Sequence, residues 1–281
     1  MKKSFIFLFL FLAIFSLIIG SWLFFTKKGE IYLENETVQT MQEQEMPPLI
    51  PQDLIIAALG DSLTEGVGDS TENGGYIPYL QSLLEGEKEI NKTTFSNFGV
   101  AGSSSDQLLK SVQTEEVKTA VQEADLVIVT IGGNDMMKVV QENLTSLNKV
   151  DFEEQKGLFE KNLNSMIKTI RQENVDSYIV LVGLYNPFNQ WFPDIKEMNE
   201  VVNEWNEGSQ KVLFQYSNTH FVDIMKVFEN SEENLLYTDY FHPNNKGYEI
   251  IAQEVFLELA GNNLKQLVEQ KYYVQKEEEN N

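Results

Sequence analysis

LIIAALGDSLTEGVG, residues 54–68, places an apolar run of strand length directly before a polar segment that contains glycine. This pattern predicts a strand that ends in a turn at Gly60. In a parallel α/β sheet, ligands bind at the carboxyl ends of strands, because helix N-termini and free backbone N–H groups meet there. Ser62 therefore lies where a nucleophile would lie, although Ser62 or Thr64 could simply cap the next helix.

Four further segments of strand length follow along the chain, and patterns of helical period separate them. They cover residues 93–98, 125–131, 177–184 and 220–224. The run at 125–131, DLVIVTI, is typical of a central strand that is buried on both faces. Five strands that alternate with helices predict an α/β fold, in which right-handed crossovers cover both faces of a parallel sheet.

The beginning of the chain has a different composition. Residues 5–25 carry almost no charge, and two lysines flank them on each side, which predicts a membrane-spanning anchor within residues 1–28. A cleaved signal peptide is the alternative, but no small-x-small site ends the run. With the short N-terminal tail inside, the globular part would lie outside the cytoplasm, and cleavage would release a secreted protein.

The remaining residues divide into three predicted parts. Residues 29–53 form a polar spacer with several glutamates and prolines, residues 54–262 a globular domain, and residues 263–281 an acidic tail. The whole chain has 21 basic and 43 acidic residues and a formal net charge of −22, which disfavours a nucleic acid as a partner. The absence of cysteine excludes disulfides and lipid attachment at a cysteine.

Polar clusters follow the first three predicted strands, and a fourth cluster precedes the last helix. Their candidate functional residues are Ser62, Gly102, Asn134, Asp239 and His242. Acyl transfer by serine requires a nucleophile, a base, an acid that orients the base, and donors where the oxyanion develops. These residue types match those requirements, although each of them alone is common in turns. The second histidine, His220, opens a predicted strand, and we expect it to be structural or exposed.

Four blocks in this order resemble the SGNH, or GDSL-type, lipases and acylhydrolases. The blocks are Gly60-Asp61-Ser62-Leu63, Asn97-x-Gly99-x-x-Gly102, Gly132-x-Asn134-Asp135 and Asp239-x-x-His242-Pro243. The resemblance implies a flavodoxin-like three-layer α/β/α sandwich with a five-stranded parallel sheet. It also implies that Ser62 is the nucleophile, that Asp239 and His242 complete a triad, and that Gly102 and Asn134 are oxyanion donors. Gly99 is an alternative to Gly102, and no metal or organic cofactor is implied.

The resemblance implies ester hydrolysis through an acyl-enzyme, with a small-molecule or lipid ester as substrate. Lipid-like or short acyl esters such as lysophospholipids are the first expectation. One alternative is removal of O-acetyl groups from cell-wall carbohydrate, and another is a catalytically silent binding domain held at the membrane. The aromatic loop at 185–193 is a candidate acyl-binding wall, with core packing or membrane contact as alternatives.

Overall fold

Five parallel strands form the centre of the fold, in the order β2-β1-β3-β4-β5. The computed structural model describes residues 50–143, 148–188 and 196–279. The strands are β1 Gln52–Gly60, β2 Ile90–Gly99, β3 Leu126–Thr130, β4 Tyr178–Val182 and β5 Thr219–Val222. Their order and direction confirm the predicted α/β fold.

Helices connect and cover the strands. They are α1 Ser62–Glu65, α2 Ile77–Leu84, α3 Ser105–Ser111, α4 Glu115–Glu123, α5 Gly133–Glu142, α6 Lys149–Glu173, α7 Lys196–Leu213, α8 Met225–Asn230, α9 Asn245–Leu259 and α10 Asn262–Glu279. Helix α6 contacts α3, α4, α5 and α7, whereas α9 contacts α2 and α10. The helices thus pack as two groups.

The central strands show why both faces of the sheet need a helix layer. Ala57 and Leu59 of β1 belong to the same buried cluster as Phe159 of α6. Because successive strand residues point to opposite faces, Ile56 and Ala58 lie on the other face, and both are also fully buried. Every residue of β3 and β4 is buried. Burying each large aliphatic side chain contributes about 1.5–3 kcal/mol, so these strands favour a three-layer arrangement.

Secondary structure extends beyond residues 54–262, the predicted globular domain, on both sides. Strand β1 already begins at Gln52, within the predicted spacer. Residues 263–281, predicted as an acidic tail, are helical up to Glu279. Three apolar residues at helical spacing, Leu264, Leu267 and Val268, are buried there, so this segment packs on the domain.

The predicted anchor at 1–28, and the spacer up to residue 49, lie outside the described residues. Within the three described ranges, no helix is both long enough and apolar enough to cross a membrane.

Candidate active site

Ser62 is the first residue of the short helix α1, directly after the end of β1. The Asp61 side chain caps this helix, because its Oδ1 accepts a hydrogen bond of 3.1 Å from the Leu63 N–H. Gly60 permits the close approach of β1 to β3, since a Cβ there would lie 2.3 Å from Thr130 Oγ1. Helix α1 ends at Gly66, which has a φ of 97°. The sharp turns at both ends of α1 fix Ser62 at the carboxyl edge of the sheet.

Ser62, His242 and Asp239 form a continuous hydrogen-bonded chain. The Ser62 Oγ lies 2.9 Å from His242 Nε2, and His242 Nδ1 lies 2.6 Å from Asp239 Oδ2. Ser62 is only 2 % exposed, whereas His242 and Asp239 are partly open to solvent. In this arrangement the imidazole can accept the serine proton, and the carboxylate can hold the imidazole in the required tautomer.

A tight turn brings Asp239 and His242 to the same side of one loop. Asp239 Oδ1 accepts hydrogen bonds of 3.0 Å from the N–H groups of Phe241 and His242. The intervening Tyr240 has a φ of 59°, a left-handed conformation that costs a residue other than glycine about 1–2 kcal/mol. Partial burial raises the pKa of Asp239, but the bonds from His242 and these N–H groups lower it more. Its pKa is therefore below the ordinary value, and the carboxylate is ionised at neutral pH.

In the part of the protein that the structure describes, neither the Ser62 N–H nor the Gly102 N–H has an acceptor. Gly102 has a φ of 79°, and a Cβ added there would meet nothing within 4 Å. At Gly99, in contrast, the N–H already donates to Asn97 Oδ1 at 2.8 Å, and a Cβ would lie 2.1 Å from Glu65 N. Gly99 therefore serves close packing, which favours Gly102 as the donor.

Asn134 lies at the start of α5, next to the loop that contains Gly102. Its Nδ2 donates a hydrogen bond of 2.9 Å to the Ser103 carbonyl oxygen, which leaves its second amide hydrogen for another acceptor. The adjacent Asp135 is buried and accepts hydrogen bonds from the N–H and the hydroxyl of Ser105. These contacts fix the loop to α5 and hold Asn134 beside the loop that contains Gly102.

Asn134→Ala is expected to lower kcat for ester hydrolysis by about 100- to 1000-fold, because the family resemblance assigns its amide as a donor to the oxyanion. KM should change little, since the donor acts mainly on charge that develops in the transition state. Steady-state kinetics beside the thermal unfolding midpoint measures both effects. Asn203→Ala, on the exposed side of α7, is a suitable control. Normal turnover by a folded Asn134→Ala protein would exclude this role.

A buried chain of hydroxyl groups supports the turn that contains Ser62. Thr130 Oγ1 donates to Asp61 Oδ1 at 2.9 Å, and it lies 2.8 Å from Thr64 Oγ1, which in turn lies 3.2 Å from the Tyr76 hydroxyl. Burial raises the pKa of Asp61 to about 6, although the bonds from Leu63 and Thr130 oppose that rise. The sequence did not single out Thr130 or Tyr76. In the sequence, Thr130 is an ordinary β-branched strand residue. Its contact with Asp61 depends on the pairing of β3 with β1.

The second histidine lies outside this cluster. His220 is in β5, where its ring stacks on Tyr178 at 5.5 Å and its Nδ1 lies 3.1 Å from Glu258 Oε1. These contacts agree with the structural role that we expected. Among the described residues, no group of three or more histidine, cysteine or acidic side chains could hold a metal ion.

Sequence comparison finds similar proteins across the folded region. The model of the GDSL-like lipase/acylhydrolase family matches residues 58–250. The uncharacterized protein YpmR of Bacillus subtilis strain 168 is 33 % identical over 247 residues, which cover 87 % of this chain and 95 % of YpmR. The spore germination lipase LipC of Bacillus licheniformis is 28 % identical over 207 residues, which cover 70 % of this chain and 92 % of LipC.

Solved structures share the fold. A lipase from a goat rumen metagenome is 24 % identical with a TM-score of 0.68, over 75 % of this chain and 99 % of that chain. A catalytic mutant of Axe2, an acetylxylan esterase from Geobacillus stearothermophilus, is 20 % identical with a TM-score of 0.57, over 75 % of this chain and 96 % of that chain. These similarities show the same arrangement of sheet and helices.

Proposed function

Because this chain belongs to the GDSL-like lipase/acylhydrolase family, we propose that it is a serine hydrolase that cleaves carboxylic esters through an acyl-enzyme. The observation that carries the proposal is the hydrogen-bonded chain Ser62–His242–Asp239, with contacts of 2.9 and 2.6 Å. A catalytically silent binding domain would have no need for a nucleophile, a base and an orienting acid in contact, so that function is the least favoured of the alternatives.

In the proposed reaction, His242 Nε2 takes the Ser62 proton while Oγ attacks the ester carbonyl carbon. The carbonyl oxygen becomes an oxyanion, which accepts hydrogen bonds from the N–H groups of Ser62 and Gly102 and from the Asn134 amide. The imidazolium, stabilised by Asp239, then gives its proton to the leaving alcohol oxygen as the carbon–oxygen bond breaks. Water, activated by His242, hydrolyses the acyl-enzyme and restores the Ser62 hydroxyl.

An apolar cavity of about 40 Å³ beside the triad supports a small acyl group. It is lined by Leu63, Gly133 and Phe241, each of which is next in sequence to a proposed catalytic residue. Pro187 and Phe188, from the loop at 185–193 predicted as an acyl-binding wall, line it too, and residues 189–193 of that loop lie outside the described residues. One water needs about 10–15 Å³ of such space, so the cavity suits a short acyl chain rather than a long one.

The cavity favours short acyl esters over long-chain lipids, and it keeps the second candidate function open. Removal of O-acetyl groups from cell-wall carbohydrate would also use a small acyl site. Lysophospholipid hydrolysis would need a longer one, although the relative LipC is named a lipase.

We further propose that residues 1–28 attach the enzyme to the membrane with its catalytic domain outside the cytoplasm. The uncharged run at 5–25 and its flanking lysines support that attachment.

Hydrolysis of p-nitrophenyl acetate, butyrate, octanoate and laurate by the full chain tests the proposed function. We expect kcat/KM to be highest for acetate or butyrate and to fall for the longer esters. Turnover of acetylated carbohydrate, but not of a lysophospholipid, would select the O-acetyl esterase. The reverse result would select the lipid substrate. A folded protein that hydrolyses none of these esters would contradict the proposal.

Phe188→Ala should enlarge the acyl cavity and raise kcat/KM for octanoate relative to butyrate by about 10-fold or more, the usual effect of added apolar space in a pocket. Phe214→Ala makes the same change at a side chain that is 93 % exposed, and it should leave the ratio unchanged. An unchanged ratio in a folded Phe188→Ala protein would place the acyl group elsewhere.

A further inference from the structure

Glu65 connects the helix that carries the proposed nucleophile to the loop that carries a proposed oxyanion donor. It is the last residue of α1, three positions after Ser62. Its Oε2 accepts a hydrogen bond from the Ala101 N–H, and Ala101 directly precedes Gly102. Hydrogen bonds from a backbone N–H to a carboxylate are shorter and stronger than neutral ones, so this contact can restrain the loop.

The other N–H groups of the same loop show what the contact achieves. The Val100 N–H donates to the Gly60 carbonyl oxygen at 3.1 Å, and the Ser103 N–H donates to the Val100 carbonyl oxygen at 3.1 Å. With Glu65 as the acceptor for Ala101, every N–H from 100 to 103 except that of Gly102 has an acceptor among the residues described. The loop is therefore fixed on both sides of the Gly102 N–H, which is the N–H of this loop that can donate to a substrate.

A second hydrogen bond joins α1 to the end of β2, next to the loop that contains Gly102, and it does not involve the Glu65 side chain. Asn97 Nδ2 donates to the Thr64 carbonyl oxygen at 2.9 Å, and so ties the end of β2 to α1 without Glu65. Glu65 itself is exposed, and no buried group would lose its partner if the carboxylate were removed. Loss of the Glu65 side chain should therefore leave the fold intact and free the Ala101–Gly102 peptide to rotate.

We propose that Glu65 is a positioning residue, which holds the Ala101 N–H and thereby aims the Gly102 N–H at the oxyanion. This inference rests on the proposed ester hydrolysis. It assigns a role to a side chain that contacts neither the triad nor the oxyanion. Its effect should appear in kcat, because a misaligned donor weakens stabilisation of the transition state more than binding of the substrate.

Three substitutions in the full chain separate the reach of the side chain from its charge. Glu65→Ala removes the acceptor, Glu65→Asp keeps the charge but is one methylene too short, and Glu65→Gln keeps an acceptor oxygen at the right distance. With p-nitrophenyl butyrate, we expect kcat to fall about 10- to 100-fold in the alanine and aspartate variants, the usual cost of a small misplacement. KM and the thermal midpoint should stay close to wild type, and glutamine should recover most of the lost kcat. Glu154→Ala, an exposed glutamate on α6, is the matched control.

Unchanged kcat in both Glu65→Ala and Glu65→Asp would overturn the inference, and so would a rise in KM without a fall in kcat. An equal loss in Glu65→Gln and Glu65→Asp would also overturn it, because reach would then not matter. If Glu65→Ala does not fold, the comparison of the aspartate and glutamine variants decides. These results presuppose an active wild type, so a wild type that hydrolyses no ester contradicts the proposed function itself.

Discussion

Ser62→Ala is expected to lower kcat for ester hydrolysis by about 10⁶-fold, which is the size of effect seen when a triad nucleophile is removed. The substitution deletes the atom that would form the acyl-enzyme. In the part of the chain that the structure describes, no other serine hydroxyl lies within hydrogen-bond distance of His242 Nε2. Ester binding should persist, because the cavity and the oxyanion donors stay in place.

The control for this change is Ser82→Ala, which removes the hydroxyl of an exposed serine on α2. It should turn over p-nitrophenyl butyrate like the wild type, and the thermal midpoints of all three proteins should be similar. A folded Ser62→Ala protein with turnover close to wild type would show that Ser62 is not the nucleophile.

Asp239→Asn is expected to lower kcat by about 10⁴-fold with little change in structure. The asparagine Oδ1 can still accept the N–H groups of Phe241 and His242, so the loop should keep its shape. Its Nδ2 would then donate to His242 Nδ1. That hydrogen bond forces the proton onto Nε2, which can no longer accept the Ser62 proton.

Kinetics with the same ester, together with the thermal midpoint, measures the effect of Asp239→Asn. Asp176→Asn, at an exposed aspartate before β4, makes the same chemical change away from the site and should be neutral. Equal activity of Asp239→Asn and wild type would mean that the carboxylate does not orient the imidazole. A large loss of thermal stability would mean that the loop needs the charge to fold.

The parallel sheet was predictable from sequence because its strands are buried on both faces. The run at 125–131 has no polar residue between Leu126 and Val129, and every residue of β3 is buried. Three of the four polar blocks lie at the carboxyl ends of strands, so the strand topology brings Ser62 and Asn134 towards one edge, and the block with His242 lies just before α9.

Helix boundaries were harder to predict, since the spacing of apolar residues does not reveal a short break between two helices. Residues 105–123 show one helical pattern, but the structure has two helices, α3 and α4, with the break at 112–114. Leu108, Val112, Val117 and Val121 are all buried on the same side of this segment, so the apolar pattern continues through the interruption. The final helix α10 was not predicted, because its few apolar residues are separated by many charged ones and the apolar pattern is weak.

The residues that support the site could not be read from the sequence. Thr130 contacts Asp61 across 69 positions, and Glu65 contacts Ala101 across 36. Neither pair has a spacing that indicates contact, because both depend on which strands are neighbours in the sheet. The spacing after Asn97 favours Gly102 over Gly99, and the close approach of Glu65 N to Gly99, which only the folded chain displays, adds support to that preference.

Labelling with a fluorophosphonate tests the central claim most directly, because the reagent requires an activated serine but not the natural substrate. Intact-protein mass and peptide mapping would follow the wild type, Ser62→Ala and His242→Ala, each shown to be folded. We expect one adduct on Ser62 in the wild type, none in Ser62→Ala, and greatly slowed labelling in His242→Ala. A folded wild type that forms no adduct, or an adduct that persists in Ser62→Ala, would contradict the assignment of Ser62 as the activated nucleophile.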